Sequence, residues 1–383
     1  MYLYNIFLKN QFFHNPNIIF FNHGSFGSCP KPIYNDLLYW QNKLEQDPVY
    51  FFEELIFNKL EKSREALGSY INCSPDDVVF FTNPTTAINA VARSLKLNIG
   101  DEVLSTNHIY GALDNTWSYI CKKNNASLVK AQIPFSLKNE QQFLDLFFKH
   151  ITKKTKVIFI SHITSMTAMI FPIKEIINYA KEKKILTIID GAHVPGHISL
   201  DIKKLDPDIY TGACHKWMCA PKGTSFLYVK KELQKSIHPL IVSWGWKSEN
   251  PRISKFLDWH EWQGTNDMSS FLTIPKTIKF LNDNNWQKHS KLCHEHTIRI
   301  RNDLLDFLNI SHPCPNSWLG QMASIPIPIE NPEEMKNILF NKFKIQVPVF
   351  KWNDMTILRY SIQVYNNKSE MEFLLKSIKE ILC

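Results

Sequence analysis

Asp190 closes one apolar run, Leu186-Thr187-Ile188-Ile189-Asp190, and Lys216 follows the next, IYTGAC (209–214). If both runs are neighbouring parallel strands, carboxylate and amine face one crevice at the strand ends, where open α/β sheets bind ligands. Pyridoxal phosphate needs that pair, with a lysine for its Schiff base and an acid against its ring nitrogen. A carboxylate there keeps the nitrogen protonated, so the ring can accept a carbanion's electrons. Taken singly, Asp190 also reads as a helix cap and Lys216 as a surface lysine. Two features argue against a solvated turn. His215 and Trp217 flank the lysine, and Ala220-Pro221-Lys222-Gly223 reads as the rigid turn that a fixed amine requires.

Other residues suit the same chemistry. His193 lies three positions beyond Asp190, in reach of a 3′ oxygen on the ring, although a lone histidine is more often structural. Asn83-Pro84-Thr85-Thr86 joins a strand to a helix. Its hydroxyls and free N–H groups make an anion site, or an ordinary cap. His108 and Tyr110 follow the next strand and offer rings to stack on a planar group, or simply wall the crevice. Alternation puts Arg359, Ser361 and Gln363 on one strand face, where the guanidinium can clamp a carboxylate bidentately.

The elements that position these residues follow an α/β pattern. Apolar runs at 78–82, 102–106, 127–133, 156–163, 185–190, 209–214 and 224–229 alternate with helical segments at 85–96, 112–123, 140–150 and 174–183. Strands apolar on both faces predict a mainly parallel sheet covered by helices on each side. Past residue 275 longer helices take over. Asn331-Pro332-Glu333-Glu334 predicts a helix start, Ser369 and Glu372 predict a capping box, and 345–350 and 357–365 read as strands. The expected division is an N-terminal segment (1–30), a large domain (31–270) and a small α+β domain (271–383).

Composition narrows the class. The net charge of +8 suits anionic small molecules. The basic runs are short and sit beside acidic or apolar neighbours, so they read as solvated surface rather than a nucleic-acid site. None of the 8 cysteines forms a CxxC pair or a zinc-spaced group, so no metal is expected. A reducing, cytoplasmic setting fits. Lys9, Asn10, Gln11 and His14 interrupt any signal-like core. No run reaches the ~18 apolar residues of a membrane span.

The motifs in this order resemble the class V aminotransferase family of pyridoxal-phosphate enzymes, and within it the isopenicillin N epimerase-like branch, which includes C–S lyases of ergothioneine synthesis. The resemblance rests on Asn22-His23-Gly24-Ser25-Phe26-Gly27, Asn83 to Asn89, His108 to Ala112, Asp190 to His197, His215-Lys216, Gln263-Gly264-Thr265 and Arg359 to Asn366, and spans nearly the whole chain. It implies a fold-type-I architecture and a homodimer with shared active sites. By motif match Lys216 would carry the cofactor, Asp190 would hold its ring nitrogen, and His193 would lie near the 3′ oxygen. Thr85, Thr86 and His215 would bind phosphate, with Gly264 and Thr265 reaching it from the other subunit. Tyr110 would stack on the ring, with His108 as second choice. Arg359 would hold the carboxylate of an amino-acid substrate, with Asn22 and His23 beside it. Ser165 stands where desulfurases of the family place an asparagine, a cofactor-side position, and this weakens a desulfurase reading. Asn266 stands where much of the branch has arginine, which implies a different substrate if that arginine contacts substrate. The implied activity is epimerase-like, with Lys216 as base and Tyr110 or His23 as second acid. A C–S lyase, an aminotransferase and a cofactor-binding pseudo-enzyme are the alternatives.

Overall fold

A computed structural model of the chain describes residues 7–383, so the first six residues of the N-terminal segment lie outside the description. In chain order its strands are β1 (Ile19–Phe20), β2 (Val78–Phe81), β3 (Glu102–Thr106), β4 (Ser127–Ala131), β5 (Thr155–Ser161), β6 (Leu186–Asp190), β7 (Ile209–Ala213), β8 (Ser225–Val229), β9 (Met322–Ile327), β10 (Ile345–Gln346), β11 (Val349–Trp352) and β12 (Met355–Ser361). Seven of them form one sheet in the order β2-β8-β7-β6-β5-β3-β4. Strand residues alternate between two apolar cores. Phe80, Ile158, Ile160 and Ile189 face one, and Val79, Val157, Phe159 and Ile188 face the other. That is the α/β architecture expected from strands apolar on both faces.

The sheet is mixed, since β8 runs antiparallel to both β7 and β2. Only the lysine loop separates β7 from β8. A connection without a crossover helix cannot return the chain to a parallel position. The loop that bears the amine is therefore the hairpin-like link that reverses the sheet's direction.

A second sheet, β11-β12-β9, is antiparallel throughout. β9 is absent from the sequence reading because Pro326 interrupts its pattern. As an edge strand it tolerates a residue without an N–H. The run 345–350 is two strands rather than one, broken before Val349 by Pro348. The last helix, Lys368–Leu382, is capped by Asn367 with Glu370, not by Ser369 with Glu372: Asn367 accepts from Glu370 N–H and Glu370 accepts from Asn367 N–H at 3.0 Å.

The N-terminal stretch is sewn to the second sheet. β1 pairs in parallel with β10, Ile19 opposite Ile345. Phe21 C=O accepts from Ser361 N–H at 2.9 Å, and Gly24 N–H donates to Ser361 Oγ at 3.1 Å. Gly27 then crosses the lysine loop with φ 69° and ψ 173°, a region open almost only to glycine. A side chain there would also strike the backbone of His215 and Lys216. Gly27→Ala is expected to lower stability by roughly 2 kcal/mol or more, read from urea unfolding. The loss is also expected to reach the lysine loop, as faster amide hydrogen exchange at Cys214 to Cys219.

Candidate active site

β6 and β7 are parallel neighbours, so Asp190 and the loop after Ala213 meet at one edge. The loop is fixed by its own backbone. Cys214 N–H and His215 N–H both donate to Thr224 C=O at 3.0 Å, and Cys219 N–H donates to Lys216 C=O at 3.0 Å. The chain can turn there because Cys219 takes φ 64°. Lys216 Nζ projects to 3.3 Å from His193 Nε2.

Burial dominates the electrostatics. Desolvation lowers Lys216 to about 8, with Arg359 pushing the same way and Asp190 opposing. Desolvation raises the Asp190 carboxyl, while the Ala192 N–H, the Lys216 charge and the Ser161 hydroxyl offset it. Ala192 N–H reaches Asp190 Oδ1 at 3.0 Å. A carboxylate has about four lone-pair sites, so acceptor capacity remains for a cationic ring N–H. That donor would relieve the burial cost of the charge. The site thus fits pyridoxal phosphate: a buried amine of lowered basicity lies close to a buried carboxylate that lacks a full set of donors.

Arg359 is buried on β12, contrary to the usual exposed strand arginine. Its Nη1 donates to Ser165 C=O at 2.6 Å and its Nη2 to Ser25 Oγ at 2.7 Å. Ser25 Oγ in turn donates to Asn22 Oδ1 at 2.5 Å. Arg359 Nε is buried without a partner. An electrostatic interaction links Tyr110 to Arg359, and Tyr110 is partly exposed at the start of the helix Gly111–Lys123. Asn22, Ser25, Tyr110, Ser165 and Arg359 therefore form one cluster. Ser165 has its carbonyl and hydroxyl turned to the guanidinium. Ser25 was unassigned by the sequence reading. Its signal was the helical spacing from Asn22.

Two histidines take other places. His23 is fully buried beneath the lysine loop. Its Nε2–H donates to Lys216 C=O at 3.1 Å, and its Nδ1 accepts from Tyr365 O–H at 2.9 Å. His108 is equally buried, with Nε2 at 2.9 Å from Ile133 C=O and Nδ1 at 2.6 Å from Thr167 Oγ1. Neither ring keeps a nitrogen for substrate protons, and His108 packs on Phe171 and Trp352. An imidazole acid at 23, and a stacking ring at 108, are corrected accordingly.

Three of the anion-site candidates, Thr86, Gly264 and Thr265, share a cavity. Asn83 caps the helix Pro84–Ser94 by accepting from Thr86 N–H at 2.8 Å, and Thr85 stands in the same first turn. Thr86 lines a cavity of about 430 Å³ together with Thr82, Gly264 and Thr265. Thr265 is exposed on its rim. His215 donates from Nδ1 to Thr224 C=O at 2.9 Å, and burial holds it at about 4. Its Nε2 is then an acceptor, and it binds phosphate only by taking up a proton that the anion would stabilise.

The family described as Aminotransferase class-V matches residues 40–374. The chain belongs to the class-V aminotransferase family, and so to the pyridoxal-phosphate enzymes. It is 27% identical over 382 residues to isopenicillin N epimerase of Amycolatopsis lactamdurans, covering 96% of each chain. It is 24% identical over 405 residues to a probable chloroplastic L-cysteine desulfhydrase of Arabidopsis thaliana, covering 96% of this chain and 84% of that protein. A lysine variant of C-DES with glycine covalently linked to its cofactor superposes with a TM-score of 0.85 at 17% identity, covering 97% of this chain and 99% of that one. The last likeness concerns the fold.

The lowered basicity of Lys216 is directly measurable. In the cofactor-free chain, reductive methylation of Lys216, followed by peptide mapping, is expected to rise with pH around a midpoint near 8. Below it the amine is protonated and inert. Arg359→Gln removes a neighbouring positive charge and moves the midpoint up. Asp190→Asn removes a negative one and moves it down.

Proposed function

We propose that this chain acts at Cα and Cβ of an amino-acid substrate, with Lys216 as the base that takes the Cα proton. The observation that carries the proposal is the buried Lys216 amine, 3.3 Å from His193 Nε2 and lowered in basicity to about 8 by desolvation, with Arg359 pushing the same way and Asp190 opposing. Pyridoxal phosphate, when bound, supplies an electron sink for the carbanion that proton removal leaves. Lys216 would hold it, Asp190 would keep its ring nitrogen protonated, His193 would face its 3′ oxygen, and Thr85, Thr86 and His215 would take its phosphate.

Arg359 orients the substrate. Its Nε is unpaired, and its Nη groups rest on Ser165 and Ser25. An incoming carboxylate therefore has a preformed cation to meet, in a crevice where charge-assisted bonds are strong. Lys216 is basic enough near pH 8 to remove a proton and to return it as a general acid.

The outcome turns on a second acid. Epimerisation requires a proton donor on the opposite face. With His23 and His108 bonded elsewhere, Tyr110 is the candidate, and it is partly exposed. β-Elimination requires one base and a leaving group. We rank elimination of a sulfur group at Cβ first and epimerisation second. Persulfide transfer is not favoured, because Cys214 and Cys219 are buried beside the lysine and desolvation raises both thiols strongly.

A second copy of the chain belongs to this reading. Val49 and Trp244 are 66% and 76% exposed and line one depression with Thr265. Joining two such faces would cover that apolar surface beside the phosphate candidates. Trp244→Glu is expected to halve the molecular mass measured by light scattering.

The chemistry is tested by screening cysteine, cystine and other sulfur amino acids. Pyruvate with released sulfur supports elimination. Solvent deuterium at Cα with loss of optical activity supports epimerisation instead. A keto acid bearing the intact side chain would indicate amino transfer. Borohydride trapping that labels any lysine other than Lys216 removes the reading altogether. Arg359→Ala is expected to weaken amino-acid binding by about 10- to 150-fold, the range of a charged hydrogen bond, with cofactor retained.

A further inference from the structure

Trp217 is fully buried beside the lysine, and the chemistry above gives it no role. Its Nε1–H donates to His193 Nδ1 at 3.3 Å. The other nitrogen of His193 stands 3.3 Å from Lys216 Nζ. These two contacts decide where protons sit. An indole nitrogen only donates, so His193 Nδ1 must accept. A neutral imidazole has one acceptor and one donor, so the His193 proton lies on Nε2, aimed at Lys216. An imidazolium is excluded by the same bond, since it has no acceptor. The partner of that Nε2–H must then offer a lone pair. A free amine does so, whereas an ammonium has three donors and no acceptor.

The indole is itself clamped. It stacks on His197 at 3.8 Å with the rings 17° apart, and His23 leans on it at 5.0 Å. His197 is pinned in turn, since Gln321 N–H donates to its Nε2 at 2.5 Å. Its Nδ1–H therefore donates to His193 C=O at 2.9 Å. Gly320 leaves room for that ring, because any Cβ there would collide with it.

We propose that Trp217 is a positioning residue whose indole N–H fixes His193 as the Nε2–H tautomer, so that His193 donates toward Lys216 and favours its free-amine form. The free amine is the form that attacks an aldehyde. The charged and titratable groups around this pair are Asp190 at the end of β6, Arg359 on β12, and His193 and His197 in the loop after β6. His23, from the N-terminal stretch, spends its Nε2–H on the Lys216 carbonyl. Arg359 and Asp190 set the charge around the amine. Trp217 acts through the direction of a hydrogen bond.

The consequence for catalysis rests on Lys216 as the cofactor lysine, but the tautomer does not, and it is measured without cofactor. The full chain, labelled with ¹⁵N-histidine, is examined by long-range ¹H–¹⁵N NMR, with His193→Gln assigning the signal. The expected pattern is a protonated Nε2 and a bare Nδ1 at His193. An Nδ1–H tautomer in the unmutated chain overturns the proposal whether or not any variant folds. In Trp217→Phe, the single tautomer is expected to give way to a mixture. The Lys216 methylation midpoint is expected to rise by about one pH unit, the worth of one hydrogen bond. A Trp217→Phe chain with unaltered circular dichroism and an unaltered His193 tautomer also overturns it. The expected tautomer in a chain whose Lys216 never traps the cofactor supports this proposal while removing the functional one.

Discussion

Enclosure of one lysine amine is the constraint around which the rest of this molecule is arranged. An ammonium in water is well solvated and a poor nucleophile. Removing its solvent penalises the charged form and leaves a base that works near neutral pH. Several features serve that end. The strand order brings Asp190 and the lysine loop to one edge. The loop spends its backbone groups on Thr224 and on itself. The N-terminal stretch lies across it with a glycine where no side chain fits. Each feature costs conformational freedom, and the two apolar cores on either face of the sheet supply the stabilisation that offsets it.

The charges near that amine are balanced rather than paired. Asp190 favours the protonated lysine and Arg359 disfavours it, so neither settles the equilibrium alone. A tight ion pair would have held the ammonium in place. Here the carboxylate, the guanidinium and the amine each keep bonding capacity, which suits a crevice that must receive a group carrying its own charges. The ion pairs of the chain that are fully spent lie elsewhere, as where the buried Arg64 and Glu261 meet the half-buried Arg252.

Much of this was legible in the sequence because strand ends carry their own punctuation. Asp190 and Lys216 each follow an apolar run, and short continuous apolar runs placed every strand of the large sheet. The helix start at Pro84 was legible because capping chemistry is local, with Asn83 accepting from Thr86 N–H. What sequence could not give was orientation. His23 and His108 are residue types that do acid–base work, yet burial and two hydrogen bonds each turn them into struts. Only packing from distant segments decides that. Ser25 escaped for the same reason, as did the bond between Ser165 and Arg359, since Arg359 comes from β12, far along the chain. β9 was hidden by Pro326, a residue that argues against a strand unless one knows that the strand lies at an edge.

The seam between β1 and β10 joins stretches from near the two ends of the chain, Ile19 opposite Ile345. Closing so long a loop adds little entropy cost beyond that of a moderate one, but it demands that both stretches exist. During synthesis the sheet of seven strands can assemble while the seam is still open. Until β12 exists, the amine at 216 lacks Arg359, one of the groups that lowers its basicity. The full lowering of that amine's basicity therefore waits until the last portion of the chain folds back over its first.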